Sequence, residues 1–476
     1  MKYVSTRGGM QPASYSEVLL EGLAPDGGLA VPETMPALSG PQIEAWRGLS
    51  YPELAVEVLS LFATDFPRSE LEHMCHAAYS SENFVSADIV PLTPLDDAIT
   101  LVGLSEGPTL AFKDMAMQYL GQSLEYALRQ RGDVLNIVGA TSGDTGSAAE
   151  YALRGKTGIA VFMLSPQGRM SDFQRAQMYS LTDDNIHNIA VDGVFDDCQN
   201  LLKELSADLD FKRANHLGTV NSINLGRISA QIVYYFWAWL RSSDDLSETE
   251  RAAHRVSFTV PSGNFGNILS GHYARTMGLP IDRLVLAANE NNVLDDFFRT
   301  GIYRPRGAAD TYATSSPSMD ISKASNLERF IFDLLGRDGD RLAEAWRVLD
   351  ETGELNLSGE LLRFGAEFGL ASGTSTHADR VATIAAVHEQ SGITIDPHTA
   401  DGVKVAREHA EPGVPMLVLE TAKPEKFPEI VIEAIGAAAP LPEHLAGLLD
   451  LPQHVTEMAN DAGELRSFIE ARAVTA

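Results

Sequence analysis

The sequence predicts an α/β protein on three observations: short apolar runs recur, each is followed by a small polar loop containing glycine, and each loop opens a helical pattern. Val134 to Val138 (VLNIV) reads as a buried strand, followed by the loop GATSGDTGS, a helix over about 147–154 and a strand from Ile159 to Leu164. The order returns with Val256 to Val260 (VSFTV), the loop PSGNFGN, a helix to about Met277 and a strand from Leu284 to Ala288. A further strand, Met416 to Leu419, leads into ETAKPEKF. This succession requires parallel β-α-β units with helices covering the sheet, because neighbouring parallel strands are joined only by a crossover.

The flanks read differently. Residues 1–90 lack the alternation and are predicted mainly helical, with amphipathic candidates at Tyr51 to Phe62 and Ser69 to Tyr79. The run Ile232 to Leu240 (IVYYFWAWL) is a helix buried in a large domain, far short of the ~20 residues of a membrane span. Ser242 to His254 is polar, a surface connection or an exposed helix. After Ala437, Pro440 and Pro442 precede acidic, helical sequence that reads as an appendage. The expected division is an N-terminal helical domain over 1–90, an α/β domain over 91–245, and a second α/β domain with the appendage over 246–476.

Composition excludes several classes of function. A net charge of −29 argues against nucleic acid or an anionic membrane as partner, while leaving room for a small anion at a locally electropositive loop. Two cysteines, Cys75 and Cys198, form no CxxC and suit a reducing cytosol. The N-terminus has no apolar core of a secretion signal, so a soluble cytoplasmic protein is expected. No metal is expected. His73, Cys75 and His76 are ordinary helix residues, and a helix cap accounts for Asp396, His398 and Asp401 as well as a metal would. No GxSxG elbow is present, and the aromatics from Tyr234 to Trp239 read as core.

Two loops are suited to anions. Ser262, Gly263, Asn264, Phe265, Gly266 and Asn267 lie between a strand and a helix, where free amides and the helix dipole favour a phosphate monoester. A plain turn in which the glycines only solve a packing problem accounts for this segment equally well. Thr141, Ser142, Gly143, Asp144, Thr145 and Gly146 hold the same place in their own unit, with three hydroxyls for a carboxylate or phosphate and Asp144 as a possible cap. Such loops at the carboxyl ends of parallel strands mark the ligand edge of an open α/β sheet. Lys113, among apolar neighbours in GPTLAFKD, is either a desolvated nucleophile or a solvated lysine in a first helical turn.

GPTLAFKDMAMQ, TSGDTGSAA, NSINLGRISAQ and SGNFGN, in this order, resemble the threonine synthase family, of the fold type II pyridoxal-phosphate enzymes. STRG, GLAPDGGLAVP, GRMSDFQRAQM, SPSMDISKASNLERF and DPHTA extend the likeness over nearly the whole chain, closest to the yeast- and enterobacterial-like branch. The resemblance implies pyridoxal 5'-phosphate as cofactor, carried on Lys113, which also serves as the mobile base. It implies that residues 263–267 hold the cofactor phosphate beside Ser262, that Thr421 bonds the pyridine nitrogen, and that Asp144 lies near the phenolic oxygen, protonated or meeting it through a proton. The substrate implied is O-phospho-L-homoserine, its carboxylate at Thr141, Ser142 and Thr145 and its phosphate at Asn221, Ser222 and Arg227. Without the resemblance, Arg227 would read as a surface salt bridge. The implied reaction is γ-elimination of phosphate and addition of water at Cβ, giving threonine; a related phospholyase would instead release a 2-oxo acid and ammonia. Two departures stand out: Ser105-Glu106 replaces a more usual Phe-His, and Asp401 replaces a small apolar residue.

Overall fold

The structure, a computed structural model, describes residues 1–141, 143–307 and 310–475. Two parallel-rich sheets carry the architecture. The larger has six strands in the spatial order Leu370–Thr374, Ile281–Ala288, Val256–Pro261, Met416–Leu419, Ile99–Val102 and Leu92–Pro94. All pairs are parallel except the last, where Leu92–Pro94 runs antiparallel at the edge. The smaller sheet is wholly parallel, in the order Thr456–Met458, Ile186–Val191, Ile159–Pro166, Leu135–Ala140 and Leu217–Gly218.

The chain is interleaved between these sheets, so the expected boundary near residue 245 does not coincide with the division between them. Ile99–Val102 pairs with Met416–Leu419 in the larger sheet, and Thr456–Met458 adds an edge strand to the smaller one. The segment after Ala437 is therefore not an independent helical appendage. Its helix Ala462–Glu470 buries Leu465 and Ile469 in the apolar cluster of the smaller sheet, beside Phe162 and Val191. The regular structure of residues 1–90 is mostly helix, in the segments Tyr15–Glu21, Gly40–Glu44, Tyr51–Ser60 and Arg68–Ala78, with the antiparallel pair Tyr3–Ser5 against Ala30–Pro32. More than half of these residues lie in turns and irregular chain, so the segment is less helical than expected. Ser242 to His254 forms turns and the short exposed helix Glu248–Ala253.

One helix joins the parts. Leu225–Arg241 is buried from Leu225 to Leu240 and packs against both Lys113–Arg131 and Gly266–Thr276. Its apolar faces are satisfied all round, as the run of bulky residues requires. Two of its polar groups find partners in the N-terminal segment: the Trp237 indole donates to the Val90 carbonyl at 2.8 Å, and Tyr15 Oη meets Ser229 Oγ at 2.8 Å. Among the described residues no helix is long and apolar enough to cross a membrane. Both cysteines are buried and unpaired.

Candidate active site

Lys113 opens the helix Lys113–Arg131, directly after the turn containing Leu110. Leu110 holds φ at +58°, a left-handed conformation that costs a non-glycine residue on the order of 1–3 kcal/mol. Bonds from two directions enforce it: its N–H donates to Gly107 O at 3.1 Å, and its carbonyl accepts the Lys423 N–H at 3.0 Å. The next contact joins Lys113 to the far end of the chain, since the Phe112 N–H donates to Thr421 O at 2.8 Å. Lys113 is 9% exposed. Burial pushes its ammonium towards the neutral amine, Lys426 and Arg227 push the same way, and Asp144 and Asp114 oppose them. The solvated alternative for this lysine does not hold.

Asp144 is a second buried charge beside it. Its Oδ1 pairs with Lys426 Nζ at 2.9 Å and accepts from Gln174 Nε2 at 3.1 Å. Its Oδ2 accepts from Ser318 Oγ at 2.7 Å, while Lys113 Nζ stands 3.8 Å away. Burial alone would raise this carboxyl, but Lys426 and then Lys113 overcome it and hold Asp144 well below the ordinary carboxylate range. The two lysines thus favour the ionised form of Asp144 in the chain without cofactor. The Ser318 N–H donates to His398 Nε2 at 3.0 Å, and His398 Nδ1 meets Asp396 Oδ1 at 2.7 Å, which places the imidazole proton on Nδ1. Asp396 also caps the helix Pro397–His409 through the amides of His398 and Thr399. Among the described residues no group of three or more His, Cys, Asp or Glu could hold a metal.

The predicted anion loops face one cavity of 490 Å³, which Lys113 and Thr421 also line. In the first loop, Phe265 sits at φ +65° with its ring stacked on Phe298 at 5.8 Å, so it offers the cavity its backbone. The Asn267 side-chain oxygen is committed, because Oδ1 accepts from Tyr234 at 2.6 Å and Tyr235 at 3.0 Å, which leaves Nδ2 as a donor. Beside these stands the row of unpaired amides opening the helix Gly266–Thr276. A Cβ on Gly263 would come within 3.2 Å of Ser318 O and Met319 Cα, so the loop is closed tightly over its neighbour. Ser262 Oγ is buried with no partner among the described residues.

In the second loop, Thr141 Oγ1 accepts the Gly143 and Gly146 amides, each at 2.9 Å, and keeps its own proton to donate. Gly143 lies at φ +139°, and a Cβ there would stand 2.4 Å from Gln174 Cδ, so only glycine passes. Thr145 lines the same cavity. Ser142 lies outside the described residues. Asn221 and Ser222 reach the cavity from the turn before the central helix. Arg227, in the first turn of that helix, is 4% exposed, which rules out a surface salt bridge. It donates to Val220 O at 3.2 Å, its Nε has no partner, and burial lowers its guanidinium to about 10. No carboxylate pairs with it among the described residues. A buried cation without a counter-charge costs several kcal/mol, and an anion entering the cavity removes that cost.

Both departures from the family pattern lie away from these loops. Ser105 N–H donates to Glu420 Oε2 at 3.2 Å, and Glu106 Oε1 accepts from Lys423 Nζ at 2.5 Å, tying the GPT turn to the segment carrying Thr421. Asp401 is buried against Arg380, 3.2 Å from its Nη1, and Arg380 is also doubly bonded to Glu290 at 2.8 and 3.0 Å. Sequence reasoning missed Lys426, Ser318, Gln174 and His398 as neighbours of the site.

Comparison with known proteins adds independent findings. The family model for the threonine synthase N terminus matches residues 2–79, that for pyridoxal-phosphate dependent enzymes matches 103–378, and that for the threonine synthase C-terminal region matches 399–469. A threonine synthase of Methylobacillus glycogenes is 54% identical over 477 residues, covering 98% of this chain and 99% of its own. One of Corynebacterium glutamicum is 54% identical, covering 98% of each. A crystal structure of pyridoxal-phosphate-bound threonine synthase from Brucella melitensis matches with a TM-score of 0.95 at 42% identity, covering 100% of both chains.

Proposed function

The chain belongs to the threonine synthase family, and from that premise we propose that its 490 Å³ cavity holds pyridoxal 5'-phosphate and converts O-phospho-L-homoserine and water to L-threonine and phosphate. The observation that carries this reading is the buried Arg227 without a counter-charge, a second anion station in a cavity that already has one at the loop Ser262–Asn267. One phosphate belongs to the cofactor and the other to the substrate.

The residues fit the cofactor. Ser262 Oγ, buried and unsatisfied, is a donor waiting for an acceptor, and the free amides of Gly266 and Asn267 add the charge complementarity of a helix start. Gly263 and Asn264 shape that turn, and Phe265 anchors it. Lys113 supplies a buried amine for the aldehyde, and the Thr421 hydroxyl supplies a neutral partner for the ring nitrogen. When bound, pyridoxal phosphate provides the electron sink that lets carbanions form at the substrate's Cα.

The chain's own groups do the rest. Thr141 and Thr145 bind the substrate carboxylate, and Asn221, Ser222 and Arg227 hold its phosphate, with the guanidinium giving charge-assisted bonds. Lys113 Nζ, as a neutral amine, would take the proton from Cα, deliver it to the conjugated system that the bound cofactor supplies and, neutral again, take a proton from Cβ. The bond from Cγ to the phosphate oxygen breaks, and the proton taken from Cβ is returned to Cγ, which becomes the methyl. A water oxygen bonds to Cβ while the water's other proton goes to the departing phosphate, which stays as the dianion with Arg227; the Cα proton is restored last. Holding both ends of the substrate fixes which bonds align with the reacting centre.

The test is product analysis. Cofactor-loaded protein given O-phospho-L-homoserine is expected to release threonine and phosphate in equal amounts. Phosphate with 2-oxobutyrate and ammonia, without threonine, would move the activity to a phospholyase.

A further inference from the structure

Resting on that reading of Lys113, a feature of the site remains unexplained: a second fully buried lysine, which meets the second anion loop only through Asp144. Lys426 lies in the short turn Pro424–Lys426 beyond Thr421, and its side chain is 0% exposed. Its Nζ donates to Thr109 O at 2.7 Å and Gln177 Oε1 at 3.3 Å and pairs with Asp144 Oδ1 at 2.9 Å. A buried ammonium has lost its hydration and persists only when it is paired and hydrogen-bonded, as here.

The geometry around Asp144 shows what the charge does. Both carboxylate oxygens are occupied before Lys113 reaches them: Oδ1 by Lys426 and Gln174, Oδ2 by Ser318. Lys113 Nζ, at 3.8 Å, is outside hydrogen-bond distance of a carboxylate that would otherwise be its natural counter-ion. The other charged groups facing Lys113 are Arg227 from the central helix and Asp114 from its own. Asp114 is turned away, since its two oxygens accept from the Thr109 amide at 2.8 Å and the Thr109 hydroxyl at 2.7 Å.

We propose that Lys426 is a positioning residue that occupies Asp144, withholds that carboxylate from Lys113, and so leaves the Lys113 amine free to attack the cofactor aldehyde and to accept a proton. Lys426 and Lys113 compete for one anion, and the closer one wins. Loss of the Lys426 charge releases Asp144 to Lys113 and removes a nearby positive charge, and both changes favour protonated Lys113.

The experiment measures the rate of imine formation, by absorbance, when pyridoxal phosphate is added to the full chain stripped of cofactor, from pH 6 to 10. Lys426→Gln, which keeps a donor and loses the charge, is expected to move the pH midpoint upward by at least one unit. At pH 7.5 that is about a tenfold slower imine formation. Lys426→Arg is expected to keep the wild-type midpoint. In an Asp144→Asn background the shift caused by Lys426→Gln is expected to shrink to less than half, because no carboxylate is left to release. An unchanged midpoint in folded Lys426→Gln protein, or an equal shift in both backgrounds, overturns the proposal. Should Lys426→Gln fail to fold, Lys426→Met carries the same comparison. Lys113→Ala, with borohydride trapping and peptide mass analysis, separates the two readings. Imine that still forms at full rate in that variant removes Lys113 as the cofactor's lysine, whereas a shifted midpoint with Lys113 trapped supports both.

Discussion

At the scale of single residues, the site is marked by groups the fold leaves unsatisfied. Ser262 Oγ and Arg227 Nε are buried, lack partners among the described residues and belong to residues that line the cavity, where a ligand can complete them. Ser262→Ala is therefore expected to leave thermal stability unchanged and to weaken cofactor binding about five- to tenfold, the worth of one hydrogen bond of ~1 kcal/mol. Equilibrium titration with pyridoxal phosphate checks it. Arg227→Gln is expected to raise KM for the phosphorylated substrate about ten- to a hundredfold, from the ~1.5–3 kcal/mol of bonds to a charged group. Cofactor affinity should change less than twofold, and the melting temperature should not fall, because an unpaired buried charge is removed. Equal loss of substrate and cofactor affinity would place Arg227 in the cofactor's support. The sequence showed which residue types gather in the loops, because strand–loop–helix order is local. It did not show that the fold favours the ionised form of Asp144. That depends on Lys426 and Ser318, which lie far away in the sequence, Ser318 by 174 residues and Lys426 by more, and reach it only through the packing of the two sheets.

At the scale of elements, Arg227 is aimed by a cap. Asn224 Oδ1 accepts the Gly226 amide at 2.9 Å, and Asn224 Nδ2 donates to Leu19 O at 2.9 Å, so the N-terminal segment holds the start of the central helix. Asn224→Ala is expected to cost ~0.5–2 kcal/mol in stability and to raise the substrate's KM more than the cofactor's Kd. Urea unfolding together with steady-state kinetics checks this, and a stability loss with KM unchanged would confine Asn224 to capping. The longer strands were legible from their apolar runs, and Met416–Leu419 falls at the residues expected. The three-residue edge strands Leu92–Pro94 and Thr456–Met458 were not, because so short a stretch shows no period and pairing partners are set by tertiary contact. The same reason hid the interleaving of the chain between the sheets.

At the scale of the whole molecule, buried carboxyls decide how stability responds to pH. Burial pushes Asp401 up to about 7 and Asp114 up to about 6, against about 3.9 for an aspartate in the unfolded chain. For Asp401 the cause is visible: the single guanidinium of Arg380 is already held by both oxygens of Glu290, so a second buried carboxylate gains little by ionising. Between about pH 4 and 7 the folded chain then keeps a proton at Asp401 that the unfolded chain has released. Stability from this group is complete below about pH 4 and is lost as pH rises to 7, with a slope of at most ~1.4 kcal/mol per pH unit. Asp144 has the opposite sign, since its depressed carboxyl stabilises above about pH 4 and loses that contribution only in stronger acid, outside this window. Urea midpoints from pH 5 to 7 are therefore expected to fall with pH. In Asp401→Asn, which cannot titrate and leaves the Arg380–Glu290 pair in place, the fall should be shallower by about 1 kcal/mol per unit. Parallel curves for the two proteins would mean that Asp401 is already ionised in the fold and shares Arg380 with Glu290.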